Sequence, residues 1–391
     1  MVTPLECEVG MPAIAFAGGG TGGHLYPALA IADALRAKRP GTRFVFFGTQ
    51  RLIDHRILSS ADCELVTQPF PSMHRAPWRL FRILTGFRQS SLLCRSLFAS
   101  DRPAVVIGTG GLGSVPAVRE AARVGIPTAL LNPDAMPGKA NRYLADSVNV
   151  VFAQWEETIS QLPHASRVEV CGCPVRAGFN RATREAGAVR FGLDADRKTL
   201  LVTGASQGAR TINQAVLANL DFLESQRDWQ VLHLTGDPDL EEVQAGYAGR
   251  SVRASILPFT EHMPEALAAA DLVVSRAGAS TLAEITAMGR PAVLMPYPYH
   301  RDKHQLANAR CLVRVAAARI VHDRIDPEEN APALRDVLEP LMTNADLRNA
   351  MAQAARRIGR GHAASQIADR IVELAMPALS AASRETLKAV C

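Results

Sequence analysis

Short, almost wholly apolar runs punctuate the chain: AIAFA at 13–17, FVFF at 44–47, AVVI at 104–107, TALL at 128–131 and VNVVF at 148–152. Between them lie stretches with helical spacing of apolar residues, such as PALAIADALRAK after the first run. Runs that do not alternate polar with apolar predict strands buried on both faces, and their alternation with helices predicts βα units around a parallel sheet. The pattern fades from Pro174 to about Arg197 and restarts with TLLVT, WQVLHL, RASILPF, DLVVS and PAVLMP. The expected fold class is therefore α/β, with two Rossmann-like doubly wound parallel-sheet domains facing a cleft. We place the first domain at 1–176, a linker at 177–197 and the second domain at 198–360. Residues 361–377 are expected to form a helix that can pack back on the first domain, and 378–391 a polar frayed tail.

Composition narrows the function classes. At 391 residues and 48% hydrophobic content the chain can bury two cores. Lys plus Arg total 43 against 38 Asp plus Glu, so the net field of +5 gives no reason to expect nucleic acid as a partner. Seven scattered cysteines without a CxxC pair point to a reducing cytoplasm, not to a disulfide framework or a zinc ribbon. Glu6 and Glu8 near the start argue against a signal peptide. No run approaches the roughly 20 apolar residues of a membrane span, so a soluble or peripheral protein is expected.

The candidate chemistry lies where strands give way to helices. GGGTGGH at 18–24 follows the first strand; its glycines allow backbone N–H groups to approach phosphate oxygens at a helix start. It is not a Walker A loop, since no GKS or GKT follows. His24 closes the loop, either as a general base or as a capping or packing residue. GTGGLGSVPAV at 108–118 repeats the arrangement, so Gly19, Gly20, Gly110, Gly111 and Gly113 are candidates to grip a pyrophosphate, with tight turns as the alternative. In the second half, GASQGA at 204–209 offers Ser206, Gln207 and Gly208 to a diphosphate. Gly278, Ala279, Ser280, Thr281 and Glu284 mark another helix start, where Glu284 can accept from ribose hydroxyls or simply favour the helix dipole. His304, Gln305 and Asn308 can meet sugar hydroxyls. Residues 75–98 carry Trp78, Arg79, Phe81, Arg82 and Phe87 with five arginines and no acid, which suits an anionic membrane surface or a solvated covering helix. Asp194 and Asp196 resemble a metal-binding DxD but read as a turn. Cys171 and Cys173 have no evident partner ligands. No metal and no cofactor is expected.

Taken in order, GGGTGGHLYPALAIA, VIGTGGLGSVPA, GCPVR, LVTGASQGARTINQA, DLVVSRAGASTLAEI and HQLANA resemble the MurG family of peptidoglycan glycosyltransferases, glycosyltransferase family 28. The resemblance spans about 13–374. It implies a GT-B fold and inverting transfer of N-acetylglucosamine from UDP-N-acetylglucosamine to the C4 hydroxyl of a lipid-linked muramoyl-pentapeptide pyrophosphate, at the cytoplasmic face of the bacterial membrane as a peripheral protein. By the same resemblance, His24 is the proposed base or acceptor-site residue, and Thr21, Gly22 and Gly23 contact donor sugar and acceptor. Arg176 is the interdomain arginine, Ser206 a diphosphate contact, Thr260 the uracil-facing position and Glu284 the ribose ligand. His304 and Gln305 are the pair at the sugar hydroxyls.

One departure bears on the acceptor. Where the family reads HEQN, this chain reads Leu131-Asn132-Pro133-Asp134, so a carboxylate replaces an amide that both donates and accepts. Asp134 is accordingly a second candidate for the base. Three other readings stay open: a lipid glycosyltransferase with another acceptor, a UDP-N-acetylglucosamine 2-epimerase, and a nucleotide-sugar-binding protein without catalysis.

Overall fold

The computed structural model describes residues 12–59, 61–69, 79–164, 167–204, 208–300 and 302–390. Two compact units share the chain: residues 1–133, 137–174 and 362–391 form one, and 134–136 with 175–361 the other.

The first unit is built on seven parallel strands: β1 (Ile14–Gly18), β2 (Phe44–Gly48), β3 (Glu64–Thr67), β4 (Val105–Gly110), β5 (Thr128–Asn132), β6 (Val150–Ala153) and β7 (Val168–Val170). They lie in the order β3-β2-β1-β4-β5-β6-β7, so the winding reverses between β1 and β4. Every residue of β1, β4 and β5 is buried, as unbroken apolar strands between two helical layers require. On one face Phe16 stacks on Phe46 at 4.8 Å beneath Leu25, Ile31 and Leu35 of the helix Gly22–Lys38. Ile367, Ala368 and Ile371 of the C-terminal helix Ala363–Val390 complete that core. Lys38–Asp369 and Arg370–Glu169 ion pairs, at 2.6 and 2.9 Å, flank the apolar stripe.

The second unit holds six parallel strands: β8 (Lys198–Thr203), β9 (Trp229–Leu234), β10 (Ala254–Leu257), β11 (Leu272–Ser275), β12 (Ala292–Leu294) and β13 (Ala318–Ile320). Their order is β10-β9-β8-β11-β12-β13, with the reversal between β8 and β11. Residues 177–197, expected to be a linker, belong to this unit. The helix Arg184–Phe191 lies so close to the helix Met263–Ala269 that a Cβ on Gly187 would come within 2.3 Å of the Glu265 carbonyl oxygen. Arg184 also bonds Asp271 at 2.8 Å. The segment looks weakly apolar because backbone approach through a glycine, not bulky side chains, makes its contact.

Candidate active site

In open α/β sheets ligands sit beyond the carboxyl ends of strands where the winding reverses. In the first unit those ends are Gly18 of β1 and Gly110 of β4. Gly18, Gly19 and Gly20 have φ of 144°, 150° and 80°, values that strain any other residue. Space also demands glycine here. A Cβ on Gly18 would lie 2.2 Å from Thr109 Oγ1, and one on Gly19 would lie 2.3 Å from Asp54 Oδ2.

Asp54, which the sequence did not single out, is fully buried beside this loop. Its carboxylate accepts from the Gly20 N–H at 2.6 Å, the Thr49 N–H at 2.7 Å and the Thr49 hydroxyl at 2.8 Å. Arg51 donates to the Gly20 carbonyl at 3.0 Å. The Gly20 N–H therefore shapes the loop and is engaged by Asp54, which corrects its expected role as a pyrophosphate donor. The only acid among residues 49–60, surrounded by Arg51, His55 and Arg56, was the available signal.

The helix begins at Gly22, ahead of Pro27, with the His24 and Leu25 N–H groups bonded to the Thr21 carbonyl. His24 thus stands in the first helical turn. Thr21 and Gly23 are exposed and Gly22 is half-buried. His24 Nδ1 lies 3.0 Å from the Gly19 carbonyl oxygen. A carbonyl only accepts, so Nδ1 carries a proton, and in the neutral ring Nε2 is then the nitrogen with the lone pair that a general base needs. The ring lies against Gly110 and Gly111, whose φ values are 110° and 74°. A Cβ on Gly110 would stand 3.1 Å from Nε2. These glycines make room for the imidazole. Gly113 caps the next helix, and its carbonyl accepts from buried Gln68 at 2.7 Å.

In the second unit Gly204 follows β8, and Gly208 precedes the helix Arg210–Leu217. A Cβ on Gly208 would lie 2.2 Å from the Thr235 carbonyl oxygen, and one on Gly204 would lie 2.2 Å from the Ala209 nitrogen. Ser206 and Gln207 lie outside the described residues. Beyond β11, Gly278 caps the helix Ala279–Ala287, which opens with Ala279, Ser280 and Thr281. One turn on, burial pushes the Glu284 carboxyl up to about 7, while the Arg176 guanidinium pulls the other way. Arg176 lies 5.8 Å over the Phe179 ring and donates to the Glu261 carbonyl at 3.4 Å. Thr260, past the end of β10, accepts from the His262 N–H at 3.0 Å.

The helix His304–Arg314 starts one loop after β12. Gln305 Oε1 accepts from the Tyr297 N–H at 2.9 Å and the Ala277 N–H at 3.3 Å. Asn308 does not fit the sugar-binding role first given to it. It is fully buried, donates to Asp134 at 2.8 Å and to the Ala277 carbonyl at 3.2 Å, and accepts from the Ala135 N–H at 2.8 Å. Asp134 therefore has an amide partner within the second unit. Beneath this site Arg276 bonds Asp323 at 2.6 Å, Thr211 at 2.7 Å and the Met295 carbonyl at 2.9 Å. Hydrogen bonds from Thr211, Arg276, Ile325 and Asn330 overcome burial and hold the Asp323 carboxyl below the usual range. An arginine directly after an apolar strand was the overlooked sign of this network.

The basic stretch forms the helix Arg79–Ser100. Trp78 lies outside the described residues, as do the side chains of Arg79, Phe81 and Arg82. Phe87 is half-buried against the core with Cys94 and Phe98, which corrects its assignment to a membrane face. Among the described side chains of this helix, the exposed large apolar ones are Leu84 and Leu92. Arg95 is paired with Glu120 at 2.6 Å. Asp194 occupies a turn, accepting from the Asp196 N–H at 3.1 Å and pairing with Arg197 and Arg253. Among the described residues no helix is long and apolar enough to cross a membrane.

Family models match both units: the glycosyltransferase family 28 N-terminal domain over residues 14–153 and the C-terminal domain over 199–371. The chain belongs to glycosyltransferase family 28. Among family 28 relatives, a UDP-N-acetylglucosamine--N-acetylmuramyl-(pentapeptide) pyrophosphoryl-undecaprenol N-acetylglucosamine transferase of Desulfitobacterium hafniense is 37% identical, covering 92% of this chain and 98% of that protein. The enzyme of the same name from Bacillus subtilis is 34% identical, covering 92% and 99%. The crystal structure of Acinetobacter baumannii MurG superposes with a TM-score of 0.71 at 26% identity, over 93% of this chain and 99% of that one. A UDP-N-acetylglucosamine 2-epimerase structure reaches 0.66 at 16% identity, a likeness of fold that carries no activity to this family 28 chain.

Proposed function

We propose that this family 28 glycosyltransferase transfers N-acetylglucosamine from UDP-N-acetylglucosamine to the C4 hydroxyl of undecaprenyl-pyrophosphoryl-N-acetylmuramoyl-pentapeptide, inverting the anomeric centre. The observation that carries this is the end-to-end match, at 34–37% identity, to relatives bearing that activity's name. The geometry supports a mechanism. His24 Nε2 takes the proton of the acceptor hydroxyl as its oxygen attacks the anomeric carbon from the face opposite the diphosphate. The bond from that carbon to UDP breaks, and the departing charge is met by helix starts at Ala279 and Arg210 and by Arg176. Glu284 accepts from ribose hydroxyls, the Thr260 backbone faces uracil, and Gln305 with His304 holds the sugar. Thr21, Gly22, Gly19, Gly110 and Gly111 line the acceptor side. The arginine-rich stretch of sequence at 75–98 suits an anionic membrane surface at the cytoplasmic face, where the lipid acceptor resides.

Transfer of labelled N-acetylglucosamine to a short-chain lipid acceptor, giving an inverted linkage, is the expected result. Acceptor-free formation of the donor's 2-epimer with no transfer would overturn the reading.

A further inference from the structure

Between β12 and the helix His304–Arg314, one short loop gathers three metal-ligating side chains in the spacing His300-x-Asp302-x-His304. One ligand atom from each lies within 4.8 Å of the other two. Lys303 brings them together. Its left-handed backbone, φ 51°, turns the chain back at the helix start, so the Asp302 carboxylate meets both the His304 N–H at 3.3 Å and His304 Nδ1 at 2.8 Å. The His300 ring stacks on that of His304 with centroids 4.5 Å apart.

We infer that His300, Asp302 and His304 bind a divalent transition-metal ion of the zinc class, and that its binding competes with the sugar nucleotide. Two imidazoles and a carboxylate are ligands such ions take, with open positions left for water. Tetrahedral coordination at about 2.0 Å needs ligand atoms about 3.3 Å apart, so the three must close by about 1.5 Å at most. Rotation of the rings out of their stack supplies this, and the exposure of His300 and Asp302 leaves room for it. The ion would replace the proton now held between His304 and Asp302.

The competition rests on the proposed role of His304 at the donor sugar, because a coordinated imidazole no longer turns to a hydroxyl. The metal is thus a brake on transfer, not a cofactor for it. The test titrates chelator-treated protein with Zn²⁺ and Co²⁺, comparing the natural sequence with His300→Ala and Asp302→Ala. One ion per chain is expected, with a Co²⁺ spectrum free of thiolate charge-transfer bands and binding weakened about tenfold or more in either variant. Binding as tight in either variant as in the natural sequence, or thiolate bands, would overturn the site. Saturating Zn²⁺ is expected to weaken UDP-N-acetylglucosamine binding about tenfold in the natural sequence and not in His300→Ala, whose metal-free transfer stays normal. Zinc binding that needs His300 but leaves donor affinity unchanged would overturn the competition alone. Failure of the functional reading would appear separately, as absence of transfer in metal-free protein.

Discussion

The two units present the same construction at their winding reversals and stabilise it with opposite charges. In the first, backbone shapes the loop: glycines 18–20 take left-handed or otherwise strained conformations, and buried Asp54 gathers the Gly20 and Thr49 N–H groups. In the second, side chains do this. Arg276 ties Asp323, Thr211 and the Met295 carbonyl, while Gln305 and Asn308 hold residues 277 and 297 from the opposite side. The Gly20 N–H, engaged by a buried carboxylate, does not also meet a phosphate. The first unit is therefore suited to positioning one reactive imidazole. The second, with a buried cation beneath two helix starts, is suited to a nucleoside diphosphate.

The sharpest division of labour to break is between chemistry and donor binding. His24→Ala is expected to lower kcat about 10²- to 10⁴-fold at saturating acceptor, the range for loss of a general base. Donor affinity measured by calorimetry should stay within about twofold, since a tenfold change would need about 1.4 kcal/mol of lost contact. Near-normal turnover in His24→Ala would pass the base role to another group, and Asp134→Asn is then the variant to measure. Its one carboxylate oxygen already bonded to Asn308 makes Asp134 the weaker base candidate.

The two braces can be compared directly by denaturant unfolding. Arg276→Ala leaves Asp323, whose side chain is 0% exposed, as a buried charge without its cation. A loss of about 3–5 kcal/mol is expected, confined to the second unit's transition. Asp54→Asn is milder. Its amide oxygen can still accept from Gly20, but its NH₂ faces a donor at Thr49, so about 1–3 kcal/mol is expected in the first unit. Equal losses for both variants would erase the distinction between the braces.

Much of this was legible before the fold was known, and the boundary has physical causes. Strands buried on both faces cannot hide their apolar runs, so the two sheets and the strand-end glycine loops could be read from spacing alone. His24 and Glu284 were legible because they stand at helix starts next to those loops. Asp54, Gln68, Arg276 and Asn308 were not: each has a partner 34 to 174 residues away, a separation no local pattern encodes. The segment 177–197 was misread for a related reason. Gly187 makes its contact by lacking a side chain, which leaves no apolar signature. Phe87 shows the limit of helical spacing, since an arginine-rich helix gives no indication of which apolar residues face the core.

The smallest effect is the most specific to the second unit. With its carboxyl pushed up to about 7 by burial, Glu284 is partly neutral at physiological pH before the donor arrives. For stability the sign is unfavourable: a carboxyl raised from 4.5 contributes fully below that value, and the contribution is lost as pH rises through about 7. For binding the sign reverses, because only the ionised carboxylate accepts from both ribose hydroxyls. UDP-N-acetylglucosamine, whose diphosphate does not titrate in this range, should bind up to about tenfold more weakly for each pH unit below 7 and level off above it. Glu284→Gln should flatten the profile near the low-pH affinity. Calorimetric titrations from pH 5.5 to 8.5 separate the cases: a flat profile in the natural sequence would mean that the carboxylate does not touch the ribose. A slope that survives Glu284→Gln would move the titrating group to another residue of the same unit.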